Sequence, residues 1–210
     1  TCNYTKSVFQ GRVRLDTLTI LDSNKYNIKD VENIFEIIIK HPYLSKLIRH
    51  CGDLFHMNSV YVLKKKDTRK IKNSNEGDLL ISLRELETII LLDRSSFEVK
   101  FYLSKLFDEQ HWSIINSNGN IVLFDNKGAY NHGQSRILEF DPLTKKLIGS
   151  FAGTQEHDFD SKTRGQVVDL GNNEYLINSS LDKKIYHLKC INQIDHNCVS
   201  SLILKANNDI

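Results

Sequence analysis

Between His111 and Gly153 the chain holds four short apolar runs, each ended by turn residues. The first, 112–116, leads into Asn118-Gly119, and the second is 121–125. The third, 136–140, ends at Asp141-Pro142, and the fourth, 147–151, closes at Gly153. Runs rich in Ile, Val, Leu and Phe, broken by Asn-Gly and Asp-Pro pairs, signal antiparallel hairpins. Four such strands within about 40 residues make one four-stranded sheet of the size used as a propeller blade.

The same order recurs on both sides. Upstream it runs HMNSVYVLKK, GDLLISLR, TIILLDRSS and EVKFYLS; downstream it runs GQVVDLGN, NEYLINSS, KKIYHLKC and CVSSLILK. Gly77-Asp78, Gly119-Asn120 and Asn173-Glu174 occupy the same turn in the three copies. A single sheet of this size cannot bury both faces alone, so the recurrence predicts sheets stacked in series. The expected fold class is therefore all-β, a β-propeller of four-stranded antiparallel blades at about 54–104, 110–153 and 163–206. Residues 12–50 read as part of a preceding blade plus an insertion, in which the segment up to Ile39 fits strand or helix and Pro42 opens a short helix over 43–50. One partial domain thus covers 1–210: three blades and part of a fourth, a fragment of a larger propeller.

Charge and composition exclude some functions. Lys plus Arg number 28 and Asp plus Glu 26, a net charge of +2 that points to no nucleic-acid partner. The basic run Lys64-Lys65-Lys66, with Arg69, Lys70 and Lys72, has no interleaved aromatics and reads as a solvated loop. No apolar run reaches the roughly 18 residues of a membrane span. Cys2, Cys51, Cys190 and Cys198 form no CxxC pair. They are compatible with free thiols, with a Cys190–Cys198 disulfide across the last hairpin, or with a zinc site beside His187 and His196, although the spacing fits no standard zinc pattern.

In a propeller the first strand of each blade lines the central channel, so residues at those strand starts converge. The repeat puts His56 and His111 at matching starts, with Gly165 third and Arg164 just before it. Two histidines at one repeat position read either as a shared site or as core histidines satisfied by backbone groups. Asn58 and Glu109 lie beside that position. Arg84 and Arg136 are the other cations near it. Their planar forks suit an oxyanion such as sulfate, and equally a structural ion pair.

These residues carry a resemblance. LFHMNSV, GDLLISLR, QHWSIINSNGNIVLFDN, SRILEFDPLTKK and the Arg-Gly before the last copy resemble the arylsulfotransferase (arylsulfate sulfotransferase) family over about residues 12–190. The resemblance implies a six-bladed propeller that moves a sulfuryl group from a phenolic sulfate ester to a phenol without a nucleotide donor or other cofactor. A channel histidine is sulfated in passing, and further histidines and an arginine hold the sulfate. It also implies small-molecule aryl sulfate and phenol as partners and a periplasmic or otherwise extracytoplasmic setting. By the resemblance, His56 and His111 match channel histidines, and Arg136 matches the sulfate-holding arginine. The nucleophile is expected about a blade after that arginine, where this chain has Arg164-Gly165, with His157 the nearest histidine. Three functions follow: sulfuryl transfer, with Arg84, Arg164 and Asn58 as further sulfate contacts; a non-catalytic propeller binding a ligand or protein; and a metal-dependent hydrolase, for which Asn58 and Glu109 offer few ligands.

Overall fold

The computed structural model describes residues 16–21, 28–48, 53–126, 134–153, 160–195 and 197–205. β1 (Thr17–Leu21) and β2 (Ile28–Asn33) pair as an antiparallel hairpin. Asn33 then ends the strand by capping a helix: its side-chain oxygen accepts from the Phe35 amide at 2.9 Å, opening α1 (Ile34–Lys40). The segment that fits strand or helix therefore divides at Asn33. Ile34, Ile37 and Ile38 fall on one buried face of α1. After Pro42 a single 3₁₀ turn covers Leu44–Leu47, shorter than the helix expected over 43–50, whose last two residues lie outside the described ones.

Three four-stranded antiparallel sheets follow, each in sequential strand order. The first is β3 (Met57–Val62), β4 (Leu79–Leu83), β5 (Thr88–Leu92) and β6 (Val99–Ser104). The second is β7 (His111–Ile115), β8 (Ile121–Asp125), β9 (Arg136–Asp141) and β10 (Lys146–Phe151). The third is β11 (Gln166–Gly171), β12 (Glu174–Ser179), β13 (Lys184–Lys189) and β14 (Val199–Lys205). Among the described residues the fold is all-β apart from α1 and short 3₁₀ turns.

Turn chemistry works as the sequence suggests. Gly119 takes φ +78° in the β7–β8 turn, where the Asn116 side-chain oxygen accepts from the Asn118 and Asn120 amides at 3.1 and 2.9 Å. At the β9–β10 turn Asp141 accepts from the Leu143 amide at 3.0 Å and the Thr144 hydroxyl at 2.9 Å.

The pleat divides the core into three layers. On the first sheet Leu79, Ile81, Leu83, Ile90 and Leu92 face α1, while Leu80, Ile89 and Leu91 face the second sheet. Ile121, Leu123, Leu138 and Phe140 meet them from the second sheet, whose other side sends Val122, Phe124 and Ile137 against Val167, Tyr175 and Tyr186 of the third. Both faces of the central strands of the first two sheets, β4, β5, β8 and β9, are dry, which is why LLISL and IVLFD are nearly unbroken apolar runs. Leu176 and Ile185 are only half-buried. They point to the far face of the third sheet, which no described element covers, so the strict alternation of β12 is a one-sided burial pattern.

A disulfide joins Cys190 to Cys198 across the β13–β14 connection, settling the choice left open for those two cysteines. Cys2 and Cys51 lie outside the described residues. The connecting loop is held by buried Glu139, which accepts from the Ile194 amide at 2.9 Å and from the side-chain amides of Asn116 and Asn120 at 2.8 and 2.7 Å. No helix among the described residues is long and apolar enough to cross a membrane.

The first strands lie beside one another, β3 against β7 and β7 against β11. Side chains stitch them: Asn58 Nδ2 donates to the Gln110 carbonyl at 2.7 Å, and the Ser113 amide donates to Ser59 Oγ at 3.2 Å. The strand starts are thereby gathered into one region.

Candidate functional site

Both β3 and β7 start with an irregular ladder. Met57 pairs with Leu83, the last residue of β4, and the register slips by Ser59. His111 pairs with Phe124, one residue short of the end of β8, and the register slips by Ile114. His56 precedes Met57, so the two histidines sit about two residues apart along the ladder rather than at one repeat position. The bulges re-aim the strand starts, and the imidazoles still meet edge to face, with ring centroids 6.4 Å apart.

Each imidazole is held by Nδ1. His56 Nδ1 lies 2.7 Å from the Asp53 carboxylate, three residues back. His111 Nδ1 lies 2.7 Å from Asn126 Oδ1 and 3.0 Å from the Glu109 carbonyl oxygen. The Asn126 orientation is fixed by its nitrogen, which donates to the carbonyls of Ser161 and Arg164. Every partner of His111 Nδ1 is thus an acceptor, so Nδ1 carries the proton and Nε2 presents its lone pair. Nε2 makes no hydrogen bond to any described residue. Burial pushes the His111 imidazole below its ordinary pKa; the Arg84 and His56 charges add to that, and the two Nδ1 hydrogen bonds oppose it.

His111 lines a cleft of about 240 Å³ with Asn58, Trp112, Arg164, Gln166 and Ser180. Arg164 is exposed, at φ +64°, with its carbonyl tied to Asn126. Four buried polar atoms around these strand starts have no hydrogen-bond partner among the described residues: Asn58 Oδ1, Arg84 Nε, Gln110 Oε1 and Ser113 Oγ. Of these, Asn58 Oδ1 belongs to the cleft lining, and the other three lie behind it around the strand starts.

The other candidates are placed differently. Arg84 bridges Glu85 at 3.1 Å and Glu109 at 2.9 Å, and its amide donates to the His56 carbonyl, so it stands beside the histidines rather than in the cleft lining. Arg136 is almost buried; its Nε donates to Asp125 Oδ2 at 2.9 Å across the β8–β9 ladder. The Asp125 carboxylate, fully buried, also accepts from the Asp108 amide at 3.0 Å. His157 lies outside the described residues, as does His196. His187 is paired with Glu174 at 3.0 Å. Among the described residues no group of three or more His, Cys, Asp or Glu side chains is arranged to hold a metal ion.

Gly165 has its own constraint. Its φ is +112°, and a Cβ there would lie 2.7–2.9 Å from three atoms of the Phe124 ring. No side chain fits, so the residue that the repeat places opposite the histidines is glycine because backbone packs directly on an aromatic ring. Sequence reasoning missed Asp53, Asn126, Trp112, Gln166 and Ser180. Asp53 was legible at three residues from His56. Asn126 was not, because its partners lie 35 and 38 residues further on.

A family model described as "Arylsulfotransferase (ASST)" matches residues 45–196. No curated protein matches the chain. Among solved structures, a protein of unknown function from Bacteroides caccae shares the fold at a TM-score of 0.53 with 12% identity, aligned over 94% of this chain and 57% of its own length. The chain thus spans a little over half of that protein. With the match covering both histidines, the cleft and every strand from β3 to β13, the chain belongs to the arylsulfotransferase (ASST) family.

Proposed function

We propose that the three sheets are consecutive blades of a propeller, about half of a six-bladed ring, and that the strand-start cleft transfers sulfuryl groups between phenols. The observation that carries this is His111: a neutral imidazole, proton fixed on Nδ1, lone pair free on Nε2, beside Arg164 in a polar cleft. Nε2 attacks the sulfur of an aryl sulfate, an N–S bond forms, the S–O(aryl) bond breaks, and phenolate leaves. The acceptor phenol then attacks the same sulfur; the N–S bond breaks and the phenolic proton passes to a base. His56, its Nδ1 on the Asp53 carboxylate, is suited to that role. Arg164, with Asn58 beside it, holds the sulfuryl oxygens as charge develops on them. Arg136 serves structure instead, since its charge is neutralised by Asp125. The Cys190–Cys198 disulfide fits an oxidising, extracytoplasmic setting.

A second reading has one observation in its favour. Gly165 cannot carry the histidine that the family resemblance expects a blade beyond the arginine, and a propeller without that nucleophile binds its ligand without turning it over. Assay of 4-nitrophenyl sulfate against a phenol acceptor separates the two. Sulfuryl transfer predicts ping-pong kinetics and a loss of at least about 10²-fold in His111→Ala. Binding of the aryl sulfate with no turnover in the intact protein supports the second reading.

A further inference from the structure

The basic run over Lys64–Lys66 read as a solvated loop, yet two of its side chains border a groove. This groove, about 270 Å³, is walled by Tyr61 of β3, Trp112 and Ile114 of β7 and Val168 of β11, with Lys64 and Lys66 at one end. Trp112 lines both this groove and the His111 cleft, so the two are successive parts of one surface track along the first strands. At roughly 3.3 Å per residue the track runs about 13 Å from His111 to Ile115, the length of two linked aromatic rings. Its middle is apolar; Arg164 lies at one end, and Lys64 and Lys66, with Asp169, border the other.

The lysines are unpaired. Both are exposed, and neither ammonium group has an ion-pair partner among the described residues. Two carboxylates nearby keep their charge but are oriented by neutral donors and form no ion pair with either lysine among the described residues. Asp67, buried, accepts from the Tyr61 hydroxyl at 2.9 Å and from the Lys64 amide at 2.7 Å, which locks the Tyr61 ring as a wall. Asp169, which also borders the groove, accepts from the Ser117 amide at 2.7 Å and the Gly171 amide at 3.1 Å.

We propose that this track selects elongated aryl substrates with an anionic group at the end remote from the reacting phenol, the anion being held by Lys64 and Lys66. This rests on the sulfuryl-transfer reading only for the identity of the reacting group. The apolar stretch takes the rings against Tyr61 and Trp112, and the two ammonium groups take a carboxylate or sulfate.

Trp112 is the only tryptophan in the chain, so its fluorescence reports binding without turnover. Titration of the full chain with 4′-hydroxybiphenyl-4-carboxylate and with neutral 4-phenylphenol gives two dissociation constants. The expected ratio favours the carboxylate by about five- to tenfold at low salt, as two partly exposed ion pairs allow, and collapses toward one in Lys64→Gln/Lys66→Gln. High salt should shrink the wild-type ratio in the same direction, a test that needs no variant. Equal affinities in the wild type, a ratio that survives in the double variant, or no change in Trp112 fluorescence with either ligand overturns the proposal. Absence of aryl sulfate turnover with the preference intact sinks sulfuryl transfer and leaves the track standing; turnover without the preference does the reverse.

Discussion

Asn126 faces His111 with its oxygen 2.7 Å from Nδ1, and turns its nitrogen to the carbonyls of Ser161 and Arg164. One amide therefore sets the histidine tautomer and fastens the third sheet's entry loop, including Arg164, beside it. Asn126→Leu should lower kcat in the aryl sulfate assay, by up to about 10²-fold, since the Glu109 carbonyl at 3.0 Å is then the remaining acceptor on Nδ1 and holds the tautomer and the ring less firmly. Asn126→Asp separates tautomer control from simple structural support. A carboxylate on Nδ1 should raise the His111 pKa and move the acid limb of the pH–rate profile upward, which loss of packing alone would not do.

The pH dependence of the wild type has a definite sign. On the sulfuryl-transfer proposal His111 must be neutral to attack, and burial depresses its pKa below the ordinary value of about 6.5. kcat/KM should stay level from neutrality down past about pH 6.5 and fall only below it. The same shift makes the unfolded chain bind more protons than the native one in that window. The histidine's contribution to stability is thus intact above the unfolded pKa and is lost as pH falls through the folded one. An acid limb centred above about 6.5 contradicts the burial argument.

Packing predicts a contrast between two leucines. Leu123 is fully buried between the first and second sheets, and Leu123→Ala should cost roughly 2–5 kcal/mol in urea unfolding. Leu176 lies half-buried on the uncovered face of the third sheet, so its replacement in the same chain should cost clearly less. Equal costs would mean that something covers that face.

Gly165→Ala should destabilise by roughly 2–4 kcal/mol, from backbone strain at positive φ plus the clash with Phe124. Adding Phe124→Ala would remove the clash and leave the strain, while opening a cavity of its own. A freely tolerated Gly165→Ala, measured by thermal unfolding, would show that the backbone does not pack on the ring.

The sheets were legible because their signals are local: Asn-Gly and Asp-Pro turns, and apolar runs of strand length repeated three times. The site was legible only in part. His56 and His111 were singled out as repeat equivalents, and they do meet, yet the β3 and β7 bulges place them about two residues out of register. Bulges leave no mark in an apolar pattern. Arg136 looked like an oxyanion ligand because its partner Asp125, directly across the ladder, becomes visible only when the hairpin is drawn through a long loop. Arg164 gained weight for the opposite reason: a neighbour of glycine in sequence, it is brought to the cleft by Asn126. The lysines of the basic run gave no hint of a groove, since Tyr61, Trp112 and Val168 come from three different sheets.

The most direct test of sulfuryl transfer through His111 is to trap the intermediate. The full chain is mixed with 4-nitrophenyl sulfate without acceptor, quenched, digested under non-acidic conditions and mapped by mass spectrometry. The account predicts one added sulfuryl group on the peptide carrying His111, its disappearance when phenol is added before the quench, and its absence in His111→Ala. Transfer activity with the adduct on another residue, His157 or His56 included, would contradict the assignment of His111 as nucleophile.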